Sequence, residues 1–195
     1  MSLKGQLTTA DYLSIEEFNH LCESLHNDRL FLWELYCRLQ FCTGFRRKDV
    51  LSLKWEDVLD KDELIKIESK TGKARMVDFN ESVKLKILEL YNLLGEPAPE
   101  SIIMYNKRLG KPYHRDSINN KLKIFKYNYK LSIGNFSTHT FRKTFGRFVY
   151  EINGRSAESL ILLNTIFRHD SIETTKRYIG LRKDEIKQVF QSIQF

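Results

Sequence analysis

Apolar residues recur at helical spacing along most of the chain, and this pattern predicts a mainly helical protein. The first predicted helix begins after Ser14, which caps it in a reciprocal box with Glu17, and it runs to about Ser24. Residues 30–41 are apolar on almost every side, which is typical of a buried helix. Gly44 then interrupts the pattern, so we expect the helix to end there.

Two short segments alternate between apolar and polar residues, which predicts β-strands instead of helices. The first covers residues 64–70, with Ile65 and Ile67 on one face, and the second covers residues 74–79. Gly72 lies between them and favours a tight turn, so we expect a β-hairpin. This hairpin is the small antiparallel sheet of the predicted fold.

Helical spacing resumes on both sides of the hairpin. The further predicted helices cover residues 46–53, 83–94, a basic segment within 105–130, 139–152, 160–167 and an amphipathic tail within 181–195. On the helix over residues 139–152, the stripe expected to be buried is Phe141, Phe145, Phe148 and Ile152.

Length and charge limit the class of protein. With 195 residues, we expect one domain over residues 1–195, with a fold that is mainly α with a small antiparallel β-sheet (α+β). Lys and Arg total 32 against 25 Asp and Glu, for a net charge of +7. This excess favours a polyanionic partner such as nucleic acid, and a solvated basic surface is the alternative.

Cysteine usage and the absence of targeting signals indicate a cytoplasmic protein. Cys22, Cys37 and Cys42 lie among apolar residues without Cys-x-x-Cys spacing, which is typical of reduced core thiols. The sequence contains no signal-peptide core and no run of 18 apolar residues, so no membrane partner is expected. Because metal-binding motifs are also absent from the sequence, we expect no metal and no cofactor.

Three separated motifs carry residues suited to phosphate chemistry. CTGFRRKDVLSLKW contains Arg46, STHTFRKTF contains His139 and Arg142 three apart, and RHDSIETTKRYIG places His169 nine residues before Tyr178. In this order and at these spacings, the motifs resemble the tyrosine recombinase (phage integrase) family over nearly the whole chain. The resemblance implies the catalytic-domain fold of that family and a site-specific recombinase that cleaves and rejoins DNA, as in the integration of mobile elements.

Phosphodiester cleavage without a metal needs cations on the phosphate oxygens, a nucleophile and an acid for the leaving 5′ oxygen. The resemblance assigns Arg46 and Arg142 to the phosphate, and a guanidinium matches two phosphate oxygens while keeping its charge. It makes Tyr178 the nucleophile, with a 3′-phosphotyrosine intermediate. His139 would assist Tyr178 by proton transfer, and His169 would hydrogen-bond the scissile phosphate.

The resemblance also places a catalytic lysine on the predicted hairpin. Lys70 is the expected general acid, and Lys73 is the alternative, since the pKa of a lysine shifts readily on desolvation. Asp49 follows Arg46 by three residues on a predicted helix, so we expect these two side chains to pair.

Helical geometry also orients the residues of the STHTFRKTF motif. At 100° per residue, Arg142 and His139 lie away from the phenylalanine stripe of their helix, so both are expected to escape the core.

Two features depart from the family pattern. Arg47 fills a place where smaller residues are common, and Arg168 replaces the glycine that usually precedes the motif histidine. The second change makes the backbone conformation before His169 a question for the structure. Complete family members usually carry an N-terminal helical DNA-binding domain, so the chain is expected to be a fragment without it, with residues 181–195 as a C-terminal tail helix.

The basic segment over residues 105–130 is interleaved with tyrosines and is expected to contact DNA phosphates, with a solvated helix face as the alternative. Together with the second hairpin lysine, the expected contacts are Lys73, Lys107, Arg108, Lys111, Arg115 and Lys121. The expected partners are double-stranded DNA and further protomers, with a monomer when free and a tetrameric synapse on DNA.

Two other functions stay open from the sequence. One is a type IB topoisomerase-like enzyme, which rejoins the same strand, and the other is a catalytically inactive DNA-binding regulator. The complete set of expected catalytic residues argues against the regulator.

Overall fold

A computed structural model of the chain describes residues 10–181 and 188–193. Most of these residues are helical, as the sequence predicts. The helices are α1 (Ile15–Asn27), α2 (Phe31–Thr43), α3 (Arg47–Leu51), α4 (Glu81–Leu93), α5 (Arg115–Asn128), α6 (Thr140–Ile152), α7 (Ala157–Phe167) and α8 (Ile172–Tyr178). Within the described ranges, no helix is both long and apolar enough to cross a membrane.

The predicted β-hairpin is confirmed. Strand β1 (Glu63–Ile67) pairs antiparallel with β2 (Ala74–Asp78), and Ile65 lies opposite Met76. The side chains of this facing pair are exposed, because the opposite face of the hairpin buries Leu64 in the core. The apolar face that carries Ile65 is therefore the outer one.

A second, smaller ladder was not predicted. Strands β3 (Tyr105–Asn106) and β4 (Lys111–Pro112) pair antiparallel within the basic segment. Because each strand is only two residues long, neither shows the alternation that identifies a strand in a sequence.

The start of α1 follows the predicted cap only in part. Ser14 Oγ accepts a hydrogen bond from the Glu17 amide at 3.1 Å, as expected. The prediction that the Glu17 side chain reaches back to Ser14 is wrong. Its carboxylate instead accepts hydrogen bonds from the Ser132 amide and hydroxyl, at 2.7 and 2.6 Å. Glu17 therefore fastens α1 to the chain that follows α5.

The main core surrounds α2, which contacts α1, α4 and α6. Leu35 and Tyr36 are fully inaccessible on this helix, and Trp33 is nearly so, which agrees with the burial predicted from its composition. Cys22 and Cys37 are buried free thiols. Burial of Cys37 raises the pKa of its thiol well above the ordinary value, so the group stays protonated.

A second apolar cluster joins α6, α7 and the end of α8, with Leu163 and Phe167 fully buried in it. The predicted stripe of α6 is only partly right. Phe141 is fully buried, but Phe145 and Phe148 are half-buried, and Ile152, the last residue of the helix, is 63% exposed. The candidate site lies where this second cluster meets the end of α2.

Candidate active site

The expected catalytic side chains come from separate parts of the chain but line one open cleft of about 460 Å³. They are Arg46, Lys70, His139, Arg142, His169 and Tyr178. Arg47 and Lys48, which the sequence did not single out as contacts, line the same cleft. The lining therefore combines several cations with two imidazoles and a phenol.

Arg46 and Arg142 converge on one carbonyl oxygen at the end of α7. The Phe167 oxygen accepts from Arg46 Nη2 at 3.2 Å and from Arg142 Nη2 at 3.1 Å. The carbonyl end of a helix carries partial negative charge, which favours cations there. The α7 terminus thus sets both guanidinium groups side by side.

Arg142 is buried, which corrects the expectation that it escapes the core. Its side chain is only 4% exposed, and its guanidinium lies over the Phe167 ring at 4.3 Å. The helical angle was right, but α7 packs over this side of α6 and covers it. Burial lowers the pKa of Arg142 to about 10, so the group still keeps its proton at neutral pH.

Gly44 lets α2 end against α6 beside the arginines. It adopts a left-handed conformation with φ of 55°, and a Cβ there would lie 2.6 Å from Phe145 Cδ1. Its carbonyl oxygen accepts from Arg142 Nη1 and from Arg75 Nη1. The helix break predicted at this glycine is therefore also a support for the cleft.

Glu68, not Asp49, is the carboxylate partner of Arg46. Glu68 is fully buried, and its Oε2 lies 3.0 Å from Arg46 Nη1, at ion-pair distance. Asp49 instead accepts a hydrogen bond from the Ser69 amide at 2.8 Å, because its side chain faces the hairpin turn. Sequence reasoning missed Glu68, since a lone acid beside a turn gives no periodic signal.

Three arginines share the Glu68 carboxylate. Besides the Arg46 contact, Arg75 Nη1 lies 3.6 Å from Oε1 and Arg168 Nη1 lies 3.3 Å from Oε2. Burial lowers the pKa of Arg75, and the charge of Glu68 opposes that shift. The single negative charge of Glu68 thus holds three guanidinium groups together beside the hairpin turn.

Thr175 fixes the orientation of His169. The Thr175 hydroxyl donates to Asn164 Oδ1 at 3.0 Å and lies 3.0 Å from His169 Nδ1. Because a hydroxyl has one proton to give, His169 Nδ1–H is the donor in the second contact. The Nε2 atom of the neutral ring therefore carries the lone pair.

Burial and neighbouring cations keep both histidines neutral. Burial, followed by the charges of Arg142 and Arg46, lowers the pKa of His169 to about 4. His139 occupies the N-cap position of α6, and burial followed by the charge of Arg47 lowers its pKa as well. A neutral imidazole can accept a proton, which is the property a base requires.

Tyr178 is the last residue of α8, and its ring is enclosed by aromatic neighbours. The ring centroid lies 5.1 Å from that of His169 and 5.4 Å from that of Phe167. Burial raises the pKa of the Tyr178 hydroxyl, although Arg142 and Arg46 act in the opposite direction. The phenol is therefore protonated in the resting cleft.

The hairpin geometry favours Lys70 over Lys73 as the catalytic lysine. Both side chains are exposed, but only Lys70 lines the cleft among the residues described around it. The charge of Lys70 also contributes, after burial and the charges of Arg142 and Arg46, to the lowered pKa of His169.

Arg168 adopts a left-handed backbone conformation. Its φ and ψ are 52° and 53°, in the left-handed region, at the C-cap of α7. Its guanidinium crosses to the hairpin, where Nη1 and Nη2 reach four acceptors. Arg168 thus connects the end of α7, next to His169, with the turn that carries Lys70.

The predicted DNA contacts lie outside the cleft. All of them are exposed: Lys73, Lys107, Arg108, Lys111, Arg115 and Lys121. Arg115 Nε donates to Asp116 at 2.8 Å, so a neighbouring carboxylate already occupies part of its guanidinium.

Comparison with known proteins gives a consistent result. Residues 11–185 match the phage integrase family. The chain is 31% identical over 149 residues to the probable integrase/recombinase YoeC of Bacillus subtilis (strain 168), covering 76% of this chain and 77% of that protein. It is also 31% identical over 152 residues to a probable integrase/recombinase of Acholeplasma phage L2, covering 75% and 48% respectively.

Among solved structures, the chain resembles the XerH site-specific recombinase bound to its palindromic difH substrate in a post-cleavage complex. The TM-score is 0.68 at 18% identity, and the match covers 98% of this chain and 56% of XerH. The chain thus spans about half the length of XerH and of the phage L2 protein. The structural likeness establishes the fold.

Proposed function

The chain belongs to the phage integrase family and is a tyrosine recombinase catalytic domain, and from this premise we propose how its cleft cleaves and rejoins DNA. The observation that carries the proposal is the convergence of Arg46 and Arg142 on the Phe167 carbonyl, next to the Tyr178 ring. Two guanidinium groups set beside a phenol are suited to an in-line attack on a phosphodiester.

The proposed substrate is double-stranded DNA. In the proposed reaction, Arg46 and Arg142 bind the non-bridging oxygens of the scissile phosphate. The same donors that meet a carbonyl oxygen in the resting cleft then meet a charged oxygen, which forms a stronger hydrogen bond. Charge that develops on the phosphate during attack is stabilised by groups already in place.

Tyr178 supplies the nucleophile, and the histidines manage its proton. The phenol oxygen forms a bond to phosphorus, the bond from phosphorus to the 5′ oxygen breaks, and the phenol proton passes to His139. His169 hydrogen-bonds the phosphate, for which its Nε2 must take up a proton when the anion enters. The products are a 3′-phosphotyrosine and a free 5′-hydroxyl.

Lys70 donates the proton that the leaving 5′ oxygen needs. Its place on the hairpin turn, in the lining of the cleft, supports this role. Because the phosphotyrosine conserves the energy of the broken bond, reversal with a different 5′-hydroxyl completes strand exchange without a metal or a nucleotide cofactor.

The exposed basic residues outside the cleft extend the proposed DNA surface. Lys107 and Arg108 lie in the turn between β3 and β4, and Lys111 begins β4. Cations on such a surface bind phosphates and position the duplex without reading its sequence. Because DNA is the proposed substrate, the cytoplasm is the expected location.

We propose that several protomers act together on DNA, as a tetrameric synapse formed from free monomers. The tail supports contacts between protomers, because residues 188–191 are helical while Val189 and Phe190 are 63% and 70% exposed. Exposed apolar side chains on a short helix gain stability by docking on another surface. Helical spacing in the sequence also predicts Ile186 and Ile193 on the apolar side of this tail helix; Ile193 is 53% exposed, and Ile186 lies outside the described residues.

A covalent trapping experiment tests the proposal and does not require the target site to be identified beforehand. A pool of randomised duplexes, each nicked so that cleavage releases a short strand, is incubated with the protein. DNA that resists detergent is then recovered and sequenced, and mass spectrometry locates the modified residue. We expect a phosphate adduct on Tyr178 that forms in the presence of EDTA.

Two variants control this experiment. Tyr178→Phe removes only the hydroxyl and should form no adduct, whereas Arg142→Lys keeps the charge but loses the forked geometry. Loss of one such donor typically slows a reaction about 10²–10³-fold. An adduct formed by the Phe variant, or near-normal cleavage by Arg142→Lys, would refute the assigned roles.

A further inference from the structure

We propose that Arg168 is a positioning residue that holds the β1–β2 turn against the cleft, so that Lys70 points at the leaving oxygen before DNA arrives. The proposal rests on the role of Lys70 in the function proposed above. It assigns a use to the residue that departs most clearly from the family motif.

The contacts of Arg168 span the whole turn. Nη1 lies 3.3 Å from Glu68 Oε2, 3.0 Å from Thr71 Oγ1 and 3.1 Å from the Lys73 carbonyl oxygen. Nη2 donates to the Ala74 carbonyl oxygen at 2.6 Å. These acceptors lie on both sides of Lys70, so one guanidinium contacts a side chain before the catalytic lysine and the backbone after it.

The backbone of Arg168 connects these side-chain contacts directly to the active site. Its neighbours in sequence are Phe167, whose carbonyl receives both catalytic arginines, and His169. A movement of the turn relative to α7 would therefore break contacts made one residue from each of these groups. The hairpin and the arginine site are held as one unit.

The left-handed conformation of Arg168 carries a backbone cost. A φ of 52° is easy for glycine but sterically unfavourable for a residue with a Cβ. The contacts of Nη1 and Nη2 with four acceptors offset part of this cost.

Glu68 and Asp49 complete the attachment of the turn. Glu68 is shared by Arg168 and Arg46, so the turn and the phosphate-binding arginine use one buried carboxylate. Asp49 accepts from the Ser69 amide on the other side. With the turn fixed at several points, the exposed Lys70 side chain starts from a defined position, which lowers the entropy cost of reaching the leaving oxygen.

Hydrogen exchange on the free protein, without any DNA, tests whether Arg168 holds the β1–β2 turn. Arg168→Gly removes the guanidinium and suits the left-handed backbone, so the variant should fold. We expect the turn amides that donate to Glu68 O, those of Thr71 and Gly72, to exchange at least about tenfold faster than in the wild type. Unchanged exchange at these amides would overturn the proposal.

Arg155→Gly is the matched control for this measurement. Arg155 is exposed and also adopts a left-handed conformation, with φ of 58°, on the loop before α7. Its replacement makes the same chemical change without touching the hairpin. The turn amides should exchange at the wild-type rate in this control, and faster exchange there would show that the effect is not specific to Arg168.

A leaving-group experiment tests the consequence for Lys70. The duplex recovered by covalent trapping is resynthesised with sulfur in place of the 5′ bridging oxygen at the scissile phosphate. A thiolate leaves without a proton, because thiols are much more acidic than alcohols. We expect Arg168→Gly to cleave the oxygen substrate at least about tenfold slower than wild type, and the sulfur substrate at close to the wild-type rate.

The outcomes separate this proposal from the proposed function. Equal slowing of Arg168→Gly on both substrates would overturn the proposal, because the defect would then lie in phosphate binding or attack. Wild-type rates on both would overturn it as well. Failure of the wild-type protein to form any adduct in the trapping experiment would refute the proposed function, while hydrogen exchange would still decide whether Arg168 holds the turn. Arg168→Lys, which keeps the positive charge but concentrates its donors on one nitrogen, should give intermediate exchange rates.

Discussion

At the scale of single residues, the cleft is organised by an imbalance of charge. Arg46, Arg75 and Arg168 surround the single carboxylate of Glu68, and Arg142 donates to backbone carbonyl oxygens nearby. Partial charges on carbonyl oxygens balance a guanidinium only in part. The resting protein therefore presents a positive field to an entering anion.

The titration of His169 gives a prediction at this scale. The group has an ordinary pKa of 6.5, and burial and neighbouring cations lower it to about 4 in the folded chain. Between these two values the unfolded chain binds a proton that the folded chain does not, so the free energy of unfolding falls as the pH falls. The contribution to stability is present above pH 6.5 and is lost on acidification toward pH 4.

The measurement compares the midpoint of thermal unfolding at pH 7 and at about pH 5. We expect the midpoint temperature to fall less between these two pH values in His169→Gln than in the wild type. His114→Gln, a change at an exposed histidine of the α5 N-cap, serves as the control and should behave like wild type. An equal loss in His169→Gln and wild type would contradict the prediction.

Motif spacing could predict which side chains meet in the cleft, but not what holds them. His139 and Arg142 share a helix, and His169 and Tyr178 lie at the start and end of one loop–helix unit, so each spacing determines a geometry. Glu68 comes from a distant strand end, and no local pattern connects it with the arginines. The roles of all these residues in catalysis stay predictions.

At the scale of secondary structure, Gly146 determines how closely α6 approaches the end of α8. A Cβ at this position would lie 2.6 Å from Ile179 Cγ2 and 2.9 Å from Phe167 Cε2. Both contacted residues are fully buried and lie beside residues of the cleft. The missing side chain of Gly146 thus allows the helix that ends in Tyr178 to sit against α6.

We predict that Gly146→Ala destabilises the protein and impairs adduct formation. Alanine is favoured over glycine within a helix by about 1 kcal/mol. Overpacking of a full core typically costs about 1–3 kcal/mol and acts in the opposite direction. The clash of the new Cβ can be removed only if Ile179 or Phe167 moves. The rate of adduct formation at Tyr178 should therefore fall even where the chain remains folded.

Chemical denaturation and single-turnover cleavage measure the two effects. Ile152→Ala on the same helix is the control, since this side chain is 63% exposed and its loss should change stability by less than about 0.5 kcal/mol. If Gly146→Ala matched this control in both stability and cleavage rate, the close approach of α6 to the end of α8 would not matter for stability or activity.

The helices could be predicted from periodicity, whereas their ends and the short strands could not. The cap at Ser14 was right because it depends on one local bond. Its partner Glu17 was wrong because a distant segment, at Ser132, offers two donors to the same carboxylate. The exposure of Ile152 was missed for a related reason, since burial depends on what packs beyond the helix end.

At the scale of the whole molecule, the chain carries a net charge of +7, and basic side chains line the cleft and are exposed on the basic segment outside it. This arrangement gives a prediction for binding to duplex DNA. Each phosphate contact contributes about 0.9 to the slope of log affinity against log salt concentration. Replacing both Lys107 and Lys111 with alanine should therefore reduce the magnitude of the slope by nearly 2.

A gel-shift titration on duplex DNA of unrelated sequence, at several salt concentrations, measures this slope. Lys84→Ala is the control, because the Lys84 ammonium lies 2.7 Å from Asp62 and 2.5 Å from Glu81 and already has anionic partners. An unchanged slope in the double variant would favour the alternative of a solvated basic face.

The class of fold followed from the sequence because a mainly helical pattern with one hairpin leaves few ways to bury the apolar surface. The family resemblance, confirmed over residues 11–185, supplied the topology. The meeting of two apolar clusters at the cleft was not predictable, since it depends on the packing of α7 over α6.

The shared carboxylate beneath the hairpin makes the losses of its partners unequal. Replacing Glu68 with a neutral residue would leave Arg46, Arg75 and Arg168 close together with their shared counter-charge removed. Losing Arg168 instead would leave Glu68 with two cationic partners. The site should therefore tolerate the loss of this arginine better than the loss of the acid.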